Sequence, residues 1–282
     1  STPLLLWLAW SLAKPARKLK NAADDVAKGN LRQHPELEAG PQEFLAAGNS
    51  FNQMISALER MVNAQQRLIS DISHELRTPL TRLQLATALL RRRHGESKEL
   101  ERIETETPRL DGMINDLLVL SRSQHKNELL RQNIKANELW DDILDNAKFE
   151  AEQRHKTLEI TSPPGPWTIY CNPSALGSAF ENIVRNALRY SNQHIQVAFC
   201  ADTKGISIVV DDDGPGVSPE DREHIFRPFY RTDEARDRES GGTGLGLAIV
   251  STAISQHNGK VTANDSPLGG LRLEIWLPLH PR

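Results

Sequence analysis

A heptad repeat of apolar residues limits the possible folds more strongly than any other feature of this sequence. Downstream of Phe44, two series recur every seven positions, namely Ala47, Met54, Met61 and Leu68 in one and Phe51, Leu58, Gln65 and Ile72 in the other. An apolar stripe that continues over about four heptads predicts a long helix that packs lengthwise on a partner helix. The apolar pattern continues to Leu90 and ends at the polar turn 94–97 (HGES).

A second amphipathic helix follows this turn. Ser97 can cap it, and acidic residues in its first turn suit the positive end of the helix dipole. Steps of three and four then connect Leu100, Ile103, Thr107, Leu110, Ile114, Leu117 and Ser121. Two antiparallel helices with one apolar stripe each cannot bury both stripes alone, so we predict that two copies of the hairpin form a four-helix bundle. The chain is therefore expected to be a homodimer.

The first residues differ in composition from the rest. Residues 4–13 (LLLWLAWSLA) are apolar, and four cations follow, Lys14, Arg17, Lys18 and Lys20. The run is shorter than the ~20 apolar residues that span a bilayer, but the cytoplasmic end of a transmembrane helix has this composition. We therefore predict attachment to a membrane through this segment. An amphipathic helix packed in a soluble core is the open alternative.

Composition excludes other classes of function. The 282 residues carry a formal net charge of -3, which gives no electrostatic support for nucleic-acid binding. Cys171 and Cys200 have neither metal-ligand nor CxxC spacing, which indicates a reduced protein in the cytosol. We expect no nucleic acid among the partners and assign the cysteines no chemistry.

The periodicity changes after Ser123. Helical patterns at 139–152 and 175–190 alternate with strand-like segments at 157–161, 194–199, 206–211, 260–264 and 271–277. This order predicts an α+β domain whose mixed sheet is covered by helices on one face.

The bundle helix carries the string 73–80 (SHELRTPL). Because the apolar stripe continues through Leu76, His74 and Glu75 are expected to face solvent, with Thr78 one turn beyond His74. A neutral imidazole can attack phosphorus, and a neighbouring carboxylate can orient the ring or accept its proton. A His-Glu pair alone is more often a solvated surface feature, so the interpretation rests on the whole string.

Residues 181–190 (ENIVRNALRY) place Asn182, Asn186 and Arg189 on one helical face. Amide oxygens four residues apart can share a small divalent cation, and the arginine can meet a phosphate. For this string alone, a solvated polar face is the alternative.

Two glycine-containing segments suit a nucleotide. In 211–217 (DDDGPGV), a carboxylate at a strand end can accept a hydrogen bond from an exocyclic amine, although a tight turn is the alternative. In 241–247 (GGTGLGL), backbone N–H groups at the start of an apolar helix can converge on a phosphate. The GxGxG spacing disfavours a Rossmann site, and no Lys-Ser or Lys-Thr pair completes a Walker A loop. Between them, 225–231 (IFRPFYR) and the charged stretch 233–239 are interpreted as a mobile lid.

In this order, the strings resemble the sensor histidine kinases of two-component systems. That family has an H box, N box, first glycine box, F box and second glycine box, which correspond here to 74–80, 182–191, 212–216, 226–229 and 242–246. The resemblance implies a multidomain fold, in which an all-α HAMP signal-relay module and a dimeric four-helix-bundle phosphoacceptor region precede an α+β sandwich ATP-binding domain of the Bergerat or GHKL type. The expected boundaries are 1–13 for a transmembrane remnant, 14–62 for HAMP, 63–124 for the hairpin and 128–282 for the ATP-binding domain.

The resemblance also implies an activity and a location. It implies an ATP-dependent protein-histidine kinase that is phosphorylated on His74, passes the phosphoryl group to an aspartate of a cytoplasmic response regulator, and acts as a phosphatase in the opposite signalling state. Glu75 is implied as the acid–base partner, and Thr78 as the residue that positions water for dephosphorylation. The fragment is expected on the cytoplasmic side of the inner membrane.

ATP and Mg²⁺ are the implied cofactors. Asn186, with Asn182 nearby, is implied to hold Mg²⁺, Asp212 to bind the adenine amine and Tyr190 to line the base pocket. Arg189 stands where this family often has lysine, which keeps the charge and changes its geometry. The other implied nucleotide-binding residues are Gly214, Gly216, Phe226, Arg227, Arg231, Gly242, Thr243, Gly244, Leu245 and Gly246.

Two further functions stay open from the sequence. A catalytically silent dimeric adaptor would bind nucleotide and relay signals by contacts alone. An ATPase of the chaperone or topoisomerase type would share the Bergerat site, but it has no need of a nucleophilic histidine on a bundle helix.

Overall fold

The computed structural model describes residues 2–27, 30–38, 42–123, 131–232 and 242–279. The chain divides into two compact units, Ser1–Glu75 and Leu76–Arg282. This division does not coincide with the domain boundaries expected from the sequence, which stay predictions.

Three helices come first along the chain: α1 (Thr2–Ala27), α2 (Gln42–His94) and α3 (Lys98–Ser123). The later elements are β1 (Gln132–Lys135), α4 (Ala136–Gln153), β2 (Thr157–Ser162), β3 (Thr168–Cys171), α5 (Pro173–Tyr190), β4 (His194–Ala201), β5 (Gly205–Asp212), α6 (Gly246–Gln256), β6 (Lys260–Asp265) and β7 (Leu271–Pro278).

The N-terminal unit is helical, as the sequence predicts. A connector with a short 3₁₀ turn at Pro35–Leu37 packs against the first turns of α2. The buried side chain of Asn52 binds this connector, because its Oδ1 accepts from the backbone N–H of His34 (3.0 Å) and its Nδ2 donates to the His34 carbonyl (3.2 Å). The predicted membrane segment 1–13 lies in the first part of α1, and its side chains up to residue 12 are outside the described part. Among the described residues, no helix is both long and apolar enough to cross a membrane.

Helices α2 and α3 form the predicted hairpin. The turn between them is confirmed at its cap, because the backbone N–H of Leu100 donates to Ser97 Oγ (3.2 Å). Arg77 links the two helices, since its Nη2 donates to Asn115 Oδ1 (3.0 Å). Much of the apolar stripe is exposed within one chain, and Leu76, which the pattern assigns to the buried stripe, is 46% exposed.

The C-terminal part forms the predicted α+β layers. A mixed five-stranded sheet has the order β2-β4-β5-β7-β6, with β2 and β4 parallel and the other neighbours antiparallel. Burial alternates along β4, β5 and β7, so that one face packs under the helices. Trp140, Phe180 and Phe199 fill the core between helices and sheet. Of the strands in the described part of the chain, the sequence pattern missed two short ones, β1 and β3, which pair with each other.

Candidate functional site

A cavity of about 320 Å³ lies within the C-terminal unit. It is bounded by α3, α5, the loop after β5 and the glycine-rich loop that precedes α6, and its volume is that of a small-ligand pocket. Residues from the sequence-based site that line it are Asn182, Asn186, Arg189, Tyr190, Asp212, Gly216, Arg231, Gly242, Thr243, Gly244 and Gly246. The structure thus brings together strings that are far apart in the sequence.

Helix α5 presents its polar face to the cavity. Asn182 Nδ2 donates to the Ser178 carbonyl one turn back (2.9 Å), which orients the amide. Its Oδ1 then points at the start of α6, because a methyl group placed on Gly246 would lie 3.0 Å from this oxygen. Asn186 lines the cavity one turn further along α5. Asn182 therefore stands beside a helix N-terminus, where an anion is favoured.

Arg189 lines the cavity and reaches the glycine-rich loop. A methyl group on Gly242 would lie 2.5 Å from Arg189 Nη1, so the arginine approaches the glycine-rich loop more closely than a side chain at position 242 would allow. Although part of the side chain is exposed in the cavity, burial is the largest cause that lowers its pKa. The guanidinium groups of Arg109 and Arg231 lower this pKa further, whereas Tyr190 raises it. Arg189 stays charged, and Arg109, Arg185 and Arg231 line the same cavity.

Asp212 lies at the C-terminal end of β5 and is 3% exposed. Its Oδ1 accepts two backbone hydrogen bonds, from Gly214 (2.8 Å) and Leu271 (3.1 Å). Burial raises the pKa of this carboxyl, while the two backbone bonds lower it. Within the described part of the chain, Oδ2 accepts no hydrogen bond, which leaves it free to accept one from a ligand.

The glycine-rich loop has a shape that depends on glycine. Gly244 has φ +73°, a conformation that L side chains rarely adopt, and a methyl group there would lie 2.9 Å from the carbonyl carbon of Phe229. The Gly244 carbonyl accepts from the backbone N–H of Phe229 (2.9 Å). The loop and the segment after the 3₁₀ turn at His224–Phe226 therefore support each other, and α6 begins at Gly246.

Four of the residues predicted to bind the nucleotide do not line the cavity. The Gly214 backbone N–H binds Asp212, Phe226 packs against the main core, and Arg227 is exposed on the surface. Leu245 is 0% exposed and packs in a second apolar cluster with Leu120. Gly241 and the charged stretch 233–239 of the predicted lid lie outside the described residues.

Helix α3 adds residues that sequence reasoning missed. Arg109, Gly112 and Asp116 line the cavity, spaced three and four residues apart on one face. That spacing was visible in the sequence, but it matches no motif, and only the tertiary fold reveals that this face borders the cavity. Other missed lining residues are Arg185, Pro215, Val217, Ile225, Tyr230, Thr232, Leu247 and Leu271.

The string 73–80 (SHELRTPL) lies on α2. His74, Glu75 and Thr78 are exposed, as the heptad pattern predicts. Ser73, the residue before the histidine, is 2% exposed, and its Oγ donates to the Ile69 carbonyl (2.7 Å). Pro79 lies within α2 without ending it.

Family models match three parts of the chain. A HAMP domain matches residues 7–60, a His Kinase A (phospho-acceptor) domain matches 64–126, and a model for histidine kinase-, DNA gyrase B- and HSP90-like ATPases matches 171–281. The chain is also 78% identical, over all 282 residues, to Sensor histidine kinase CpxA of Escherichia coli (strain K12). The chain belongs to the sensor histidine kinases.

Further comparisons agree with this family. Sensor histidine kinase CpxA of Klebsiella pneumoniae subsp. pneumoniae (strain HS11286) is 77% identical over the whole chain, and sensor protein RstB of E. coli (strain K12) is 31% identical over 98% of it. The chain spans 62% of the length of each CpxA protein and 63% of RstB. Among solved structures, full-length ShkA in complex with AMPPNP matches 77% of this chain and 46% of its own at 24% identity, with a TM-score of 0.62, which supports the fold.

Proposed function

We propose that this chain is the signalling part of a sensor histidine kinase that uses ATP to phosphorylate its own His74. The observation that carries the proposal is the polarity of the cavity. One end holds a buried carboxylate, Asp212, beside Tyr190, and the other holds the start of α6 beside Asn182, with four arginines in the lining among the described residues. A nucleoside triphosphate has the matching polarity, since its base donates hydrogen bonds and its phosphates are anionic.

The base end suits adenine. Asp212 Oδ2 is available to accept a hydrogen bond from the exocyclic amine, while Oδ1 is held by two backbone N–H groups. Apolar side chains beside it, including Val217, Ile225 and Leu271, can contact the faces of a flat ring. Tyr190 lines the same cavity.

The phosphate end suits a triphosphate with Mg²⁺. Four arginines and two aspartates line the cavity among the described residues, so cations outnumber carboxylates. The oriented amide oxygen of Asn182 and the neighbouring Asn186 fit Mg²⁺, which usually takes few protein ligands and completes its shell with phosphate oxygens and water. When bound, the ion would neutralise charge on the phosphates. Gly242, Thr243 and Gly244 would let backbone N–H groups approach them.

The chemical step proposed for His74 is a simple displacement. A neutral ring nitrogen attacks the γ-phosphorus, the bond from this phosphorus to the bridging oxygen of ADP breaks, and ADP leaves with that electron pair. The ring proton passes to Glu75, which is exposed beside the histidine. In a second displacement, an aspartate of a response regulator takes the phosphoryl group from His74.

Exposed apolar residues support the proposed homodimer. Met54, Met61 and Leu68 are 45%, 68% and 59% exposed, and they recur every seven residues along α2. Such residues are normally covered by a partner helix. We further propose that the segment before Lys14 attaches the chain to the inner membrane, with the described units on its cytoplasmic side.

The direct test is incubation of the chain with γ-labelled ATP and Mg²⁺. Acid-labile label is expected on the wild type, and none on His74→Gln with ATP affinity unchanged. His194→Gln, at an exposed position at the start of β4, is the matched control and should be labelled normally. Equal label on His74→Gln and wild type would contradict the proposal. ATP binding without label on the wild type would favour the adaptor, and rapid release of inorganic phosphate would favour the simple ATPase.

A further inference from the structure

The nucleotide cavity has a wall that does not belong to the predicted ATP-binding domain. This wall is the face of α3 formed by Arg109, Gly112 and Asp116, hereafter the α3 face. The contact continues one turn further along α3, because Leu120 is 6% exposed and packs with Leu245, Ala248 and Ile249 of the loop and α6. The hairpin thus reaches the cavity directly.

Arg109 brings a positive charge to the phosphate end. Arg109, Arg189 and Arg231 all line this cavity, and the charges of Arg109 and Arg231 lower the pKa of Arg189. An anion bound among these guanidinium groups would be stabilised by their charges. Arg109 Nη1 donates to Glu106 Oε1 (3.2 Å), one turn earlier on α3, and this bond holds the Arg109 side chain on the α3 face.

Gly112 is unusual in the middle of a helix. Glycine destabilises a helix interior relative to alanine, so its use usually has a packing reason. Among the described residues, no atom lies within 4 Å of a methyl group placed on Gly112, so no packing contact in this part of the chain requires glycine there. Gly112 lines the cavity, so a longer side chain at this position would extend into the space that a ligand would fill.

We propose that α3 completes the nucleotide site of its own chain, with Arg109 binding the phosphates and Gly112 giving them room. This inference rests on the proposed function and deepens it. It makes ATP affinity depend on how the phosphoacceptor hairpin packs against the ATP-binding domain, so that a movement of α3 changes the occupancy of the site.

The first test measures binding of ATP and of adenosine by titration calorimetry on the full chain. Arg109→Gln should lower the affinity for ATP about tenfold or more, because a charged hydrogen bond is lost. The affinity for adenosine should be unchanged. Arg109→Lys should recover part of the ATP affinity. Arg102→Gln, at an exposed position on the same helix, is the control and should bind both ligands like the wild type. If Arg109→Gln lowers the affinities for ATP and adenosine equally, Arg109 only supports the structure of the site and the proposal is wrong.

The second test uses Gly112. Gly112→Ala and Gly177→Ala should both raise the Tm, since each replaces a helical glycine and the added methyl has room at both sites. Gly112→Leu should keep the fold and lower the affinity for ATP about tenfold, because the leucine side chain enters the cavity. If Gly112→Leu changes the oligomeric state and leaves ATP affinity intact, the glycine serves the paired helices and the proposal is wrong.

These outcomes separate the inference from the proposed function. A wild-type chain that binds no ATP would contradict the proposed function itself. A wild type that binds ATP and labels His74, together with an Arg109→Gln variant of equal ATP affinity, would contradict only the role of α3.

Discussion

The hydroxyl of Thr243 donates a hydrogen bond of 3.1 Å to the carboxylate of Asp116, which lies 127 positions earlier in the chain. Thr243 Oγ1 also accepts from the backbone N–H of Leu245 (3.2 Å), so one side chain connects α3 to the loop that leads into α6. Burial raises the pKa of Asp116, although the bond from Thr243 and the charge of Arg185 lower it. The ionised carboxylate is therefore held in a site that favours its protonated form.

Asp116→Asn is expected to stabilise the C-terminal unit at neutral pH. The folded pKa of Asp116 is raised above its ordinary value of 3.8, so the folded state binds more protons and its stability falls as the pH rises through the raised pKa. An amide avoids this loss and can still accept from Thr243. The Tm should rise by roughly 1–3 °C at pH 7.5 and be unchanged near pH 4.

The control for this variant is Asp145→Asn, which removes the same formal charge from an exposed position on α4. It should not reproduce the gain. A Tm for Asp116→Asn that differs from wild type equally at both pH values would mean that the effect is not proton-linked.

Leu120→Ala should loosen α3 from the ATP-binding domain. Leu120 is 6% exposed against Leu245, Ala248 and Ile249, and removing such a buried side chain usually costs about 2–5 kcal/mol. Hydrogen exchange of α3 amides should accelerate on the order of 30-fold or more. Val119→Ala, at a neighbouring position that is 39% exposed, should have little effect. Similar exchange in both variants would show that this cluster does not hold α3.

Asp212→Asn should prevent tight ATP binding. The buried carboxylate offers Oδ2 to the exocyclic amine of adenine. An asparagine amide has one NH₂ group, which would face either this amine or the backbone N–H groups of Gly214 and Leu271, and in both orientations two donors would meet. A loss of about 100-fold in affinity is expected for such an unmatched buried pair. Calorimetric titration with ATP measures it.

Asp213→Asn is the matched control for this variant. Asp213 accepts from the backbone N–H groups of Asn192 and Gln193 and does not line the cavity. An amide oxygen can keep these bonds, so this variant should bind ATP normally. Comparable losses in the two variants would locate the effect in the turn and not in recognition of the base.

Local patterns predicted most of the fold. The heptads of α2, the cap at Ser97 and the alternating strands β4, β5 and β7 depend on neighbours within a few residues, and the structure has all of them. Strands β1 and β3 have four residues each, too few for alternation to stand out.

The site was predicted less completely, for two physical reasons. A motif records which residues are near a ligand, but it does not separate those that touch it from those that support the loop. Leu245 is thus a core residue and the Gly214 N–H holds Asp212. The contribution of Arg109 depends on a contact between elements that are distant in the chain, which no local pattern contains.

Thr78→Ala should separate the two activities proposed for α2. Thr78 is exposed one turn beyond His74, where its hydroxyl can orient a water towards a phosphorylated regulator, whereas attack by His74 on ATP does not need it. Dephosphorylation of the regulator should fall about tenfold or more, with labelling of His74 within about twofold of wild type. Thr81→Ala is the control, because Thr81 Oγ1 donates to the Arg77 carbonyl (3.0 Å) within the helix. If Thr78→Ala lowers both activities together, the hydroxyl supports the helix around His74 and has no separate role in dephosphorylation.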